Sequence, residues 1–87
     1  MRKYRQAGGC MKNNDILNNY NIFSNNVKYY RNKLNITQEQ LAEKANCSIS
    51  YIKQIESCKE YKNVTLSTIL NICKALNISI NDLFSDN

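Results

Sequence analysis

Between Thr37 and Glu56 the chain reads TQEQLAEKANCSISYIKQIE, where two helix starts sit on either side of one helix stop. Thr37, with Gln40 three residues on, has capping-box spacing: side chain and backbone satisfy each other's free donors. Asn46 is the best non-glycine residue for the left-handed conformation that ends a helix. Ser48 is the next N-cap. This stretch is therefore predicted to be two short helices joined by a tight turn. Leu41, Ala42 and Ala45 make the apolar stripe of the first. On a helical wheel Tyr51, Ile52 and Ile55 share one side of the second, while Ile49, Ser50, Lys53, Gln54 and Ser57 gather on the other. The first side is core, and the second is polar with no evident structural task.

Similar signals recur along the chain. Proline is absent, no segment alternates with a period of two, and apolar residues return at three- and four-residue spacing, which predicts an all-α fold. Ser24 is the expected N-cap of a first helix running to about Lys33, burying Val27, Tyr30 and Leu34 with Lys28 facing water. Thr65 caps a helix over residues 66–76 with Leu66, Ile69, Leu70, Cys73 and Leu76 on its apolar face, and Asn77 terminates it. Ser79 with Asp82 opens a fifth short helix bearing Ile80, Leu83 and Phe84. A five-helix bundle over residues 24–87 is the result.

Residues 1–23 hold the only two glycines, Gly8 and Gly9, and an asparagine-rich run without a sustained period. They are predicted to form a flexible N-terminal tail, disordered or loosely packed. Within it Ile16, Leu17, Tyr20, Ile22 and Phe23 leave room for a short amphipathic turn that docks on the domain or on a second subunit. Met11 is a candidate internal start.

The 87 residues suit one small domain with a modest core. No run approaches the length of a membrane span and no signal peptide is evident, so a soluble, cytoplasmic protein is expected. Cys10, Cys47, Cys58 and Cys73 include no C-x-x-C pair and histidine is absent, which points to free thiols, no metal site and no cofactor. Missing histidine, paired carboxylates and any cysteine–histidine couple also argue against an enzyme. The net charge of +5 is uneven: Arg2, Lys3, Arg5 and Lys12 face only Asp15 in the tail, whereas the rest has eight lysines and arginines against six acids. A basic balance of this size is weak evidence for nucleic acid.

Stronger evidence lies in linked motifs: Arg31, then ITQ-x-x-LA from Ile36, S-x-x-YI-x-x-IE from Ser48, and TLSTILNICKALNISINDLF from Thr65. In this order they resemble the helix-turn-helix domain of the phage-repressor and Cro type, the XRE family, over about two thirds of the chain. The resemblance implies a five-helix, lambda-repressor-like bundle that binds operator DNA sequence-specifically. It implies a transcriptional regulator, a repressor acting as a dimer, with the third helix in the major groove.

Carried over position by position, Gln38 implies a phosphate contact and Ile49, Ser50 and Gln54 the base-reading positions. Gln54 is the sharpest candidate, because an amide makes paired hydrogen bonds to adenine. Ile49 suits a thymine methyl. Ser48, Tyr51, Lys53, Lys59, Lys62 and Asn63 complete the candidate DNA contacts, and Arg31 with Glu56 implies a structural salt bridge. The segment SCKEYKNVT departs from the family in lacking its glycine and proline and in being about two residues longer. Homodimerisation is implied by the family and by Ile78, Ile80, Leu83 and Phe84 clustering near the C-terminus as a partner surface; the other reading of these four is that they close the core. The alternative is an antitoxin or anti-regulator that acts mainly through a protein partner.

Overall fold

The structure is a computed structural model that describes residues 13–57 and 63–85. Five helices follow in order: α1 (Asn13–Lys33), α2 (Gln38–Lys44), α3 (Ile49–Ser57), α4 (Leu66–Leu76) and α5 (Ile80–Leu83). No strand occurs among the described residues. Cys10, Cys58, Lys59, Lys62, the basic residues Arg2, Lys3, Arg5 and Lys12, and the expected tail before residue 13 lie outside them.

Three asparagines set the outline. Asn35, Asn46 and Asn77 have φ of 60°, 59° and 59°, the left-handed conformation that stops a helix. After each, the next residue's N–H reaches back five positions: Ile36 to the Arg31 carbonyl at 3.2 Å, Cys47 to Ala42 at 2.9 Å and Ile78 to Cys73 at 3.0 Å. Those three residues are half-buried against the core, and Thr37, Ser48 and Ser79 follow immediately as N-caps. Helix end and helix start are thus fused into one short unit, used three times. The bonding satisfies carbonyls and amides that would otherwise be orphaned at the helix ends.

The first helix begins earlier than expected. It runs through residues 13–23 without a break, so Ser24 is no cap: it is fully buried in the helix, and its hydroxyl has no hydrogen-bond partner among the described residues. Ile16, Tyr20, Phe23, Val27 and Tyr30 recur every three or four residues and line the inner face, with Tyr20, Phe23 and Val27 buried. Asparagine in a helix costs at most about 0.7 kcal/mol per residue relative to alanine. Burying a large apolar side chain gains about 1.5–3 kcal/mol, so packing overrides the unfavourable local composition. Phe23 also stacks on Phe84, with ring centroids 5.5 Å apart.

Phe23, Val27, Leu41, Ile52, Ile55, Ile72, Leu76 and Leu83 form the fully buried centre, drawn from all five helices. Three apolar residues expected there are elsewhere. Leu34 lies beyond the end of α1 and is 47% exposed, and Leu66 and Leu70 are 63% and 49% exposed. On α4 the inner face is set by Ile72, Cys73 and Leu76, with Ile69 beside them; Leu66 and Leu70, four apart, belong to a neighbouring stripe turned outward. No helix among the described residues is long and apolar enough to cross a membrane.

Candidate nucleic-acid interface

The interface is built from the turn outward. Thr37 Oγ1 accepts from the Gln40 N–H at 3.0 Å and Gln40 Oε1 accepts from the Thr37 N–H at 2.8 Å, closing the capping box. Leu41, Ala42 and Ala45 are buried beneath it. Beyond Asn46, Ser48 Oγ accepts from the Tyr51 N–H at 3.1 Å and starts α3. That hydroxyl is therefore engaged as a cap, although Ser48 remains on the surface.

Helix α3 separates its faces sharply. Ile52 and Ile55 are fully buried, whereas Ile49, Ser50, Lys53, Gln54 and Ser57 are all exposed. Gln54 accepts from Ser57 Oγ at 2.9 Å through its backbone carbonyl, and the residue is exposed. Such a face offers an amide donor–acceptor pair, two hydroxyls, a cation and one aliphatic group. These are the groups that meet base edges and phosphates in a groove wide enough for a helix.

The C-terminal end of α3 is fixed by Glu56, whose side chain is 3% exposed. Arg31 from α1 donates Nε to Oε2 at 2.7 Å and Nη2 to Oε1 at 3.0 Å, a two-pronged pairing, and gives Nη1 to the Ile36 carbonyl at 2.8 Å. One guanidinium thus ties α1, the loop before α2 and α3 together. Gln38 joins the cluster, its Nε2 donating to Glu56 Oε1 at 3.0 Å. The sequence suggested a side chain facing outward to phosphate, but part of the Gln38 amide is directed into the protein.

Tyr51 is half-buried and hydrogen-bonded to the side chain of Thr68 on α4. Burial chiefly pushes its phenol up from the ordinary 10.0, with the Thr68 bond opposing and the Cys47 charge reinforcing the shift. Thr68 in turn accepts from Thr65 Oγ1 at 3.0 Å. Tyr51 therefore links α3 to the start of α4. Asn63 is exposed just before Thr65, and the expected contacts at Lys59 and Lys62 lie outside the described residues.

The apolar surface expected near the C-terminus is only partly there. Leu83 is fully buried and Ile78 half-buried, so these two close the core, the second of the two readings their pattern allowed. Ile80 and Phe84 are 41% and 36% exposed, and Leu66 and Leu70 on α4 add two larger exposed side chains that sequence patterning had assigned to the interior.

A family described as helix-turn-helix matches residues 27–83. The control protein C.SmaI of Serratia marcescens is 44% identical over 64 residues, covering 74% of this chain and 74% of that protein. The immunity repressor protein of Bacillus phage phi105 is 38% identical over 60 residues, covering 69% of this chain and 40% of that protein. Among solved structures, the restriction-modification controller protein C.AhdI from Aeromonas hydrophila superposes with a TM-score of 0.68 at 29% identity, covering 75% of this chain and 96% of that one.

Proposed function

The chain belongs to the helix-turn-helix family, and from that premise we propose that it is a sequence-specific DNA-binding transcriptional regulator that presents α3 to the major groove. The observation that carries the proposal is the exposed polar face of α3, held rigid from behind by Ile52, Ile55 and the Arg31–Glu56 pair.

In this role Gln54 reads bases through its amide, Ile49 touches a thymine methyl, and Ser50 adds a short hydroxyl contact. Lys53, Gln38 and Asn63 meet phosphates, as do Lys59 and Lys62. Ser48 and Tyr51 act closer to the scaffold, one as the cap of α3 and one as its tie to α4. So small a base-reading set leaves part of the choice to DNA shape.

The protein acts as a homodimer, with two α3 helices entering successive major grooves about 34 Å apart. A relative described as a control protein and a structural neighbour described as a restriction-modification controller protein favour an operator upstream of restriction–modification genes, and the phage repressor relative favours repression by occupying a promoter. A gel shift with the DNA upstream of the protein's own gene tests the proposal. A discrete complex that survives excess random duplex is expected, and no complex with any upstream DNA at low salt would sink it.

A further inference from the structure

Glu56 is more than the far half of an ion pair. Its carboxylate is nearly sealed from water and receives three N–H donors, two from Arg31 and one from Gln38 at 3.0 Å. An ionised carboxylate can only accept, so it can be met only by the nitrogen end of the Gln38 amide. The flip that would exchange that nitrogen with the amide oxygen is thereby excluded. Gln38 itself is half-buried.

A phosphate is likewise an acceptor and discriminates between the two ends of an amide. It is attracted by N–H and repelled by the carbonyl oxygen. An unconstrained surface glutamine would present either end. Here the first N–H of Nε2 is committed inward, leaving the second N–H on a nitrogen already polarised by a charged partner.

We propose that Glu56 is a positioning residue for DNA backbone binding: it holds one N–H of the Gln38 amide inward, so that the second N–H of the same nitrogen is the donor offered to a phosphate and one amide bridges the buried carboxylate and the DNA backbone. This rests on the DNA-binding reading above and adds to it a route from the buried end of α3 to the backbone contact at the start of α2. Docking of α2 on phosphate and the seating of α3 are then coupled through one side chain, rather than being separate contacts.

The test is a double-mutant cycle with Gln38→Ala, Glu56→Gln and the two combined, measuring Kd on an operator duplex and on random duplex. Glu56→Gln is nearly isosteric and keeps an acceptor for Arg31, but it also allows the Gln38 amide to turn. It should weaken both DNAs by a similar factor, about tenfold as for a hydrogen bond to a charged group. In the Gln38→Ala background the same change should cost less than about twofold.

Equal losses from Glu56→Gln with and without Gln38 would overturn the proposal, leaving Glu56 to act only through Arg31. A measurement on the wild-type protein guards against a variant that fails to fold. In a 15N-labelled sample the two Gln38 amide protons should separate widely, and duplex addition should shift the outward one more. Coincident proton shifts in the free protein, or no response to DNA, would also overturn it. Wild-type protein that binds no DNA at all would instead remove the functional reading on which the proposal stands.

Discussion

Asn26 on α1 places its Nδ2 2.8 Å from the carbonyl oxygen of Leu83 at the end of α5. The same nitrogen lies 2.8 Å from the Ser85 carbonyl and 3.4 Å from that of Asp82. A four-residue helix has little but orphan carbonyls at its end; the Phe84 N–H and the Ser85 hydroxyl take those of Ile80 and Asn81, and this buried amide takes that of Leu83. Asn26→Ala should therefore cost about 1–3 kcal/mol of stability, the penalty for stranding buried acceptors. Asn26→Asp should cost more, since a carboxylate would face carbonyls with nothing to donate. Urea midpoints with unchanged slope measure both. If the aspartate variant were no worse than the alanine one, the amide would not be facing those carbonyls.

On α3, Gln54→Ala should lose about 1–3 kcal/mol at the cognate operator and relax the preference for one base pair. Lys53→Ala should instead weaken cognate and random DNA alike and lower the slope of log affinity against log salt by about one. Titrations of both variants against both duplexes at several salt concentrations separate base reading from backbone contact. Equal losses on the two DNAs for Gln54→Ala would remove it from the base-reading set.

Much of this interface could be read from residue order alone, because its parts are local. Thr37 with Gln40, Asn46, and Ser48 each act within a few residues of themselves, and a wheel separates Ile52 and Ile55 from Lys53 and Gln54 without any tertiary knowledge. What stayed hidden depends on distant partners. Ser24 looked like a cap because serine is a good one; only the packing of Tyr20 and Phe23 carries the helix through it. Leu66 and Leu70 looked internal because a short helix has several plausible apolar stripes, and the neighbours that choose between them are far away in sequence. The stop at Asn35 was available: Asn35-Ile36-Thr37 repeats the pattern of Asn46-Cys47-Ser48 and Asn77-Ile78-Ser79. Gln38 and Asn26 could not have been placed, since their bonding partners lie on other helices.

The exposed leucines on α4 make the dimer proposal testable without touching the core. Leu66 and Leu70 are more exposed than any other aliphatic side chain on that helix, and Ile80 on α5 is exposed as well. Leu70→Glu should leave helicity and melting temperature nearly unchanged while giving a monomer in sedimentation. Loss of bivalent engagement should then weaken binding to a two-site operator by about 100-fold or more, with little effect on a single half-site. A dimer that persists at the same concentration would place the interface elsewhere.

Alkaline pH probes the α2–α3 turn and its contact with α4. Burial pushes the Cys47 and Cys73 thiols above their ordinary 9.0, and the Asp82 charge adds to the shift at Cys73. Tyr51 is raised from 10.0 chiefly by burial as well. In each case the folded state holds its proton more tightly than the unfolded chain. Between the unfolded and folded values the native state therefore binds more protons, and stability falls as pH rises. The contribution is fully present below about pH 8, begins to be lost near pH 9 as the unfolded thiols ionise, and is gone above the folded values. Urea unfolding should accordingly give a flat stability from about pH 6.5 to 8 and a decline above 9. Cys47→Ala should shrink that decline, because it removes one titrating thiol and a charge beside Tyr51. A stability that rises between pH 9 and 10, or a decline unaltered by the substitution, would mean these groups are not desolvated in the folded protein.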